Sequence, residues 1–554
     1  MASRIDSDIA REVSSDLDKC RKMLQPDSAE TIDKTVDVMS IDFSKNKIID
    51  SNMNEKNLAR SEIQRFYDGK NVLITGATGF LGKILVEKLL RSCPGVENLY
   101  LLVRQKRGKD IYSRMEEIFD DPMFDRLKEV MPKFRHKIVV VPADCESYGL
   151  GLAITDRQML IEKVNVIFHS AATVKFDEHL RAALATNVQA PLYLLDLARN
   201  MKGLKVFMHI STAYSNSHLS RVEEKYYPCE ADSAQLQQMI DKLTDKQITT
   251  LLPKVLGKWP NTYTFTKALT EKELRKHCSG VPLSIFRPAI VTSTAREPLK
   301  CWLDNMYGPT GVAVGSVTGM LRTIQVNRDM TADLVPVDFV VNALIAASYS
   351  VSQAYNTSVK PQEPPIFNFV SSVENRMTWG DFFNQNMKRV DRQPVSNAVW
   401  YISLTLTKSA LINRINMIFL HFIPAVILDF LSLCVGRKPQ MLKVYRKIHK
   451  FSSVISYFTT KEIYFCNRRT QELWNTTSDL DKQIFPFSMK DINWDEYFEY
   501  YLQGIRQYLF KESEDTVPQA RIKWRRLYYL HQIVRVTFFA FVIYLIWTIL
   551  DRLI

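Results

Sequence analysis

The chain lacks any C-x-x-C pair: its eight cysteines are scattered singly. That spacing argues against a disulfide framework or a zinc site and suits a reducing compartment, so no metal is expected. The basic start and apolar run of a signal peptide are missing as well. Residues 1–65 contain no glycine and no apolar core. They read as a polar, flexible tail, with Ile5, Ile9, Val13 and Leu17 leaving a short amphipathic helix as the alternative. No nucleic-acid module accompanies the net charge of +13. The densest basic patches, 437–450 and 521–526, flank apolar segments and point to a membrane surface and phosphate-bearing ligands. What is present is a globular balance of 46% hydrophobic and 24% charged residues over 554 positions, too long for one ordinary core.

The segment around which the rest is organised is Asn71 to Lys83, NVLITGATGFLGK. Asn71–Thr75 is a short apolar run suited to a strand buried on both faces. Gly76, Gly79 and Gly82 follow at three-residue intervals, and helical spacing begins at Lys83. Strand, glycine turn and helix make a dinucleotide cradle. The glycines allow a tight turn and close backbone approach, and the helix N-terminus faces the pyrophosphate. Thr75, Gly76, Thr78, Gly79, Phe80, Leu81 and Gly82 are therefore expected to bind the cofactor. The G-x-x-G-x-x-G spacing resembles that of the short-chain dehydrogenase/reductase superfamily.

A second strand, Asn98–Val103, ends at Arg104, Gln105, Lys106 and Arg107. NAD-selective folds place an acid there for the ribose 2′-hydroxyl. Cations stand here instead, so Arg104 and Arg107 favour NADPH over NADH. Lys137–Val141 is a third strand, leading to Asp144, which is placed to reach the adenine. Val164–His169 is a fourth, followed by the small residues Ala171 and Ala172, past which the cofactor can lie. Val206–Ile210 is a fifth and runs into Ser211 and Thr212. Strands alternating with helical stretches such as Leu180–Arg199 specify an α/β fold with a doubly wound parallel sheet of Rossmann type.

Tyr263 and Lys267 lie four apart on a predicted helix and share one face. A free tyrosine titrates near about 10. A lysine ammonium and the nicotinamide's charge are expected to draw the phenol toward working range, and Lys267 can also reach the nicotinamide ribose. Thr212, preferred to Ser211, would orient the substrate carbonyl and share an oxyanion with Tyr263. Y-x-x-x-K recurs at Tyr457 and Lys461, where Tyr457 reads as a packed aromatic, so the pair alone carries little information. What distinguishes Tyr263 is order: glycine turn, basic second strand, S-T, Y-x-x-x-K, then a strand ending Arg287-Pro288, beyond which Pro288 and Ile290 join the cofactor residues.

FYDGKNVLITGATGFLGK, HSAATVKFDE, HISTAYSN, PNTYTFTKALTEKEL, the block Phe286–Gly311, LHFIPAVILD and VGRKPQMLKVYRKIHK resemble the alcohol-forming fatty acyl-CoA reductases, from about Phe66 to Leu502. The resemblance implies an extended short-chain fold and NADPH-dependent reduction of a long-chain or very-long-chain acyl-CoA to a primary alcohol. Two hydride steps through an aldehyde are implied, serving wax or ether-lipid metabolism. The family's catalytic residues fall on Thr212, Tyr263 and Lys267, and its cofactor glycines on Gly76, Gly79 and Gly82. Ala143 and Ala289 depart from the pattern, where Gly and Ser are expected.

The expected organisation is a tail (1–65), a cofactor-binding catalytic domain (66–350), a linker (351–364), a mostly helical domain covering the substrate (365–510), a basic juxtamembrane segment (511–532) and one membrane helix (533–550). Val536–Leu550 is fifteen residues without a charge. Arg521, Lys523, Arg525 and Arg526 before it, against Arg552 after it, keep the N-terminal bulk in the cytosol, at the endoplasmic reticulum or a peroxisome. Ile415–Val435 contains Asn416, His421, Pro424 and Asp429 and reads as an interfacial or acyl-chain-binding helix. His421 reads as a buried helix histidine, with a ligand or base as the alternative. The expected partners are acyl-CoA and membrane lipid. Competing readings are a membrane-bound hydroxysteroid dehydrogenase and a catalytically silent lipid-binding homologue.

Overall fold

The computed structural model describes residues 60–553 except 106, 107 and 109, so the helix considered over Ile5–Leu17 lies outside the described residues. Folding starts ahead of Phe66. Ser61 and Gln64 cap the helix Glu62–Tyr67 reciprocally, each side chain accepting the other's backbone N–H.

Seven strands form the sheet: β1 (Asn71–Thr75), β2 (Asn98–Val103), β3 (Ile138–Pro142), β4 (Val166–His169), β5 (Val206–Ile210), β6 (Leu283–Pro288) and β7 (Ile366–Phe369). Their order is β7-β6-β5-β4-β1-β2-β3, and every neighbouring pair is parallel. Side chains alternate between two buried faces, which is why the strands read as continuous apolar runs. Val72 and Ile74 join one core with helices α1 (Phe80–Ser92) and α3 (Val337–Asn356), whereas Leu73 joins the other with Leu102 and Leu283. Strand order reverses between β1 and β4, so a crevice for ligand opens beyond their carboxyl ends. The doubly wound sheet and the helical C-terminal part are as expected.

Helix α2 (Thr262–His277) crosses beside β5 and β6 and is locked to them by a buried charge pair. Arg287 of β6 is fully buried and donates Nε to Glu271 Oε1 at 2.9 Å and Nη2 to Glu271 Oε2 at 2.5 Å. Its remaining donors reach the carbonyls of Glu223 and Lys225, so the guanidinium is satisfied on all sides.

The expected linker at 351–364 does not divide the chain. Helix α3 runs on to Asn356, and Ile366–Phe369 pairs with β6 as the edge strand of the main sheet. Four residues suffice for an edge strand, and Pro361, Pro364 and Pro365 lie in the short loop that feeds it. A second core unites Leu303, Val312, Leu321 and Ile324 with Trp379, Phe382 and Phe498, so stretches on both sides of β7 build it. Two further helices matter for function. α4 (Ala410–Cys434) contains a π-helical turn at Ile418–Phe422, and α5 (Met441–Thr460) follows it. Finally α6 (Val517–Leu553) is one 37-residue helix, so the basic segment and the apolar segment expected at 511–532 and 533–550 are two parts of a single rod. The regions Ala410–Cys434 and Glu514–Leu553 are both long and apolar enough to cross a membrane, two candidates where the sequence suggested one.

Glu271→Ala strands the Arg287 guanidinium in the core and should destabilise the protein by about 3–5 kcal/mol. A clear fall in the thermal denaturation midpoint is expected; an unchanged midpoint would show that the pair is dispensable.

Candidate functional site

The glycine turn is built by close approach. Gly76 has φ +72°, and a Cβ there would sit 2.8 Å from the Ala171 backbone nitrogen at the end of β4. A Cβ on Gly82 would lie 2.2 Å from the Gly76 carbonyl oxygen, so helix α1 rests directly on the turn. Gly79 caps α1 with no side-chain acceptor, leaving the N-terminal amides of a 13-residue helix for an external anion. Thr75 accepts the Ala171 N–H at 3.1 Å and contacts His169 Nδ1 at 2.7 Å, tying β1 to β4 below the turn. The geometry fits a dinucleotide: backbone approach where the pyrophosphate must lie, and small residues at Ala171 and Ala172 beside it.

Phe80 stacks on Trp302 at 5.6 Å and Leu81 packs against the core, so both shape the start of α1. At the end of β2, Arg104 donates to Glu146 at 2.9 Å and lies 3.9 Å from Asp144. Arg107 lies outside the described residues. A residue that the sequence reading missed stands here. Arg114 donates to the Arg104 carbonyl at 2.7 Å and to the Thr78 hydroxyl at 2.9 Å, which aims its guanidinium at the glycine turn. It sits on a helix eleven residues beyond the strand, where no local motif marks it. Pro288 and Ile290 follow β6 on the far side of the crevice.

Thr212, Tyr263 and Lys267 converge at the end of β5. Lys267 is buried, and its Nζ donates to the Ile210 carbonyl at 2.8 Å. Thr212 follows two residues on, caps a short 3-10 turn by accepting the Tyr214 N–H at 3.2 Å, donates to the Pro288 carbonyl at 3.5 Å, and lies close enough to the Tyr263 phenol to lower it. Ser211 is committed elsewhere, donating to Glu271 at 2.5 Å. Tyr263, Lys267 and Glu271 recur every four residues along one face of α2, a pattern that could have revealed Glu271. Asn187, in the π-helical turn Ala185–Gln189, was also missed. Its amide bonds the Thr173 backbone in both directions and contacts Thr266, pinning the segment after β4 to α2.

Before any nicotinamide charge is counted, desolvation is the larger influence on Tyr263 and pushes its phenol up to about 12, with Thr212 opposing. Lys267 is itself desolvated, down to about 8 with Glu271 opposing, and directs its Nζ to Ile210. His169 and His209 stack nearby at 5.3 Å, and burial with the neighbouring Lys267 charge holds both imidazoles neutral. The site therefore presents a neutral phenol and a neutral hydroxyl side by side, two donors suited to a developing oxyanion.

The second Y-x-x-x-K pair closes the site from the C-terminal side. Tyr457 donates to the Ser217 carbonyl at 2.9 Å, and Lys461 donates to the carbonyls of Ser217 and His218, both at 2.8 Å. Phe458 beside them stacks on Phe176 at 5.4 Å, and Phe176 lies 5.7 Å from Tyr263.

Fold and glycine turn together define a dinucleotide-binding protein of the extended short-chain dehydrogenase/reductase type. Two family models described as "Male sterility protein" match, a NAD-binding one over residues 74–344 and one named Sterile over 420–512. The chain is 37% identical to fatty acyl-CoA reductase wat of Drosophila melanogaster, over 88% of this chain and 94% of that protein. It is 36% identical to fatty acyl-CoA reductase 1 of Homo sapiens, over 88% and 93%. The chain belongs to the fatty acyl-CoA reductase family. Among solved structures, the terminal R domain of the myxalamid PKS-NRPS pathway shares the fold, with a TM-score of 0.51 and 18% identity over 80% of this chain and 92% of that one. The R domain of a non-ribosomal peptide synthetase from Mycobacterium tuberculosis gives the same score and identity over 79% and 92%.

Gly76→Ala should abolish binding of NADPH and NADH in a fluorescence titration, because the new Cβ meets the β4 backbone. Gly280→Ala is the control, since that glycine also has positive φ (+78°) but open space around it. Equal binding by both variants would refute the cradle.

Proposed function

We propose that this protein reduces long-chain or very-long-chain fatty acyl-CoA to the primary alcohol with NADPH, releasing CoA. The convergence of Thr212, Tyr263 and Lys267 beside the glycine turn carries this reading, and the named relatives supply the substrate class. The cofactor would rest on Thr75–Gly82, with Asp144, Ala171, Ala172, Pro288 and Ile290 around it. The 2′-phosphate would meet Arg114 and Arg104, with Arg107 three residues further along the sequence. When bound, the nicotinamide supplies hydride to the substrate carbonyl carbon.

The chain's own residues do the rest. Thr212 Oγ1 and Tyr263 Oη donate to the thioester oxygen and hold the charge that develops there. Collapse of the hemithioacetal expels CoA thiolate and leaves an aldehyde. The same hydroxyls receive the aldehyde oxygen, and Tyr263, kept neutral by desolvation, gives its proton to the alkoxide in the second reduction. Lys267 contributes a cation beneath both steps. Two hydrides are consumed per alcohol, consistent with a role in wax or ether-lipid synthesis. α6 would anchor the chain in the endoplasmic reticulum or peroxisomal membrane, with the catalytic part in the cytosol where acyl-CoA and NADPH are met.

Gas chromatography of products from membranes containing the protein, supplied with NADPH and a series of acyl-CoAs, should find alcohol at two NADPH per molecule and little with NADH. Tyr263→Phe should lose turnover while keeping NADPH binding; full turnover in that variant would sink the assignment. The pH profile gives a separate check. Lys267, lowered to about 8, is charged below that pH and neutral above it, so kcat/KM should fall as pH rises through about 8. Lys267→Arg keeps its charge and should move that decline to higher pH. An identical profile in the variant would remove Lys267 from the pH dependence.

A further inference from the structure

Helix α4 is built inside out for a protein in water. Its buried stripe is mostly polar, made of Asn413, His421 and Asp429 with the small Ala425, whereas Ile415, Phe419, Phe422, Ile427, Phe430 and Leu431 are among the large apolar residues turned outward. Phe430 is 64% exposed and Asp429 beside it 6%. A contiguous apolar face of this size on a soluble surface marks a site of interaction.

The polar stripe decides how the helix can meet a membrane. Asn413 accepts the Thr323 hydroxyl at 2.9 Å. Eight residues on, His421 Nε2 accepts the Arg322 N–H at 2.9 Å, and its other ring nitrogen meets His449 of α5 at 3.0 Å. Eight residues further, the Asp429 carboxylate accepts the N–H groups of Gln440 and Met441, both at 2.8 Å, and of Leu442 at 3.0 Å, capping α5. The helix is thus tied to the protein body at three points spread over about 24 Å, at 1.5 Å per residue. A helix tied along one whole side to the catalytic body cannot leave that body to cross a bilayer. Moreover, α5 leads straight back to the catalytic part, where Lys450 pairs with Asp177 and Tyr457 bonds Ser217.

The occupant of the outward face is identified by its neighbours. The Arg322 segment that holds His421 also holds α6. Arg322 lies over the Trp400 ring at 5.2 Å, and Trp400 Nε1 donates to His531 Nδ1 at 3.0 Å, just before the exposed apolar run of α6. Exposed cations stand at both ends of α4, Arg414 at its start and Arg437 and Lys438 just past its end, where anionic headgroups would meet them.

We propose that α4 is an in-plane membrane helix, its apolar face sunk in one leaflet of a phospholipid bilayer and both ends on the same side as the catalytic part. This is a second membrane contact, independent of the anchoring role proposed for α6. The test uses the full chain in vesicles of phosphatidylcholine and phosphatidylserine doped with a photoactivatable acyl-chain phosphatidylcholine. After irradiation, lipid adducts are expected on the peptide 411–433 as well as on 533–553. Trypsin added outside should cut after Arg437 in those molecules whose catalytic part faces outward. The double variant Ile427→Glu, Leu431→Glu, altered only on the exposed face, should lose adducts on 411–433 and keep those on 533–553. Adducts confined to 533–553 in the unaltered chain, or self-cross-links through 411–433 in place of lipid, would overturn the proposal. Trypsin protection at Arg437 in outward-facing molecules would overturn it in favour of a span. Adducts missing from both peptides would overturn it together with the α6 anchor, which separates the two failures.

Discussion

Between Gly76 and the end of β4 there is no room for a single carbon atom beyond the backbone. The first loop must therefore be tight, the helix after it must rest on that loop, and the segment Ser170–Thr173 must run close alongside. The neighbouring arrangements extend from this contact. Thr75 ties the turn to β4, Asn187 ties the segment after β4 to α2, and α2 delivers Tyr263 and Lys267 to the end of β5. The candidate site is thus a set of short-range ties between adjacent strand ends, so its geometry rests on backbone placement more than on any one catalytic side chain.

The charges follow from the same closeness. Packing that lets backbone segments touch also strips water from Tyr263, Lys267, His169 and His209. Desolvation favours neutral forms, raising the phenol and lowering the amine and imidazoles. Arg287 is locked to Glu271, and Glu271 in turn holds Ser211 away from the site, leaving Thr212 as the hydroxyl beside the phenol.

Much of this was legible beforehand because parallel strands buried on both faces leave unbroken apolar runs. Asn71–Thr75, Asn98–Val103 and Val206–Ile210 were read to the residue, and the convergence of Thr212, Tyr263 and Lys267 followed from the order of segments. Three things were not legible. Arg114 and Asn187 are single residues on helices, with no spacing that announces them. The direction of the Tyr263 shift depends on how much water the fold excludes, which a pattern of letters does not encode. The edge strand Ile366–Phe369 is four residues long and follows two prolines, so its local signal is that of a loop, and pairing with β6 makes it a strand. The polar residues of α4 marked it as an interfacial or acyl-chain-binding helix, but their partners in the body were not legible.

The second core draws on residues before and after β7, and short parallel pairings bind the two halves of the chain again, Thr323–Gln325 with Thr405–Thr407 and Arg221–Val222 with Tyr464–Phe465. The C-terminal helical part is therefore interleaved with the cofactor-binding part rather than appended to it. For the evolution of such a chain, that part cannot be exchanged as a cassette by recombination at one point. A crossover near residue 360 would pair one parent's 301–334 with the other's 377–510 inside a single core. Change in this architecture must come by substitution within the second core, or by replacing both stretches at once.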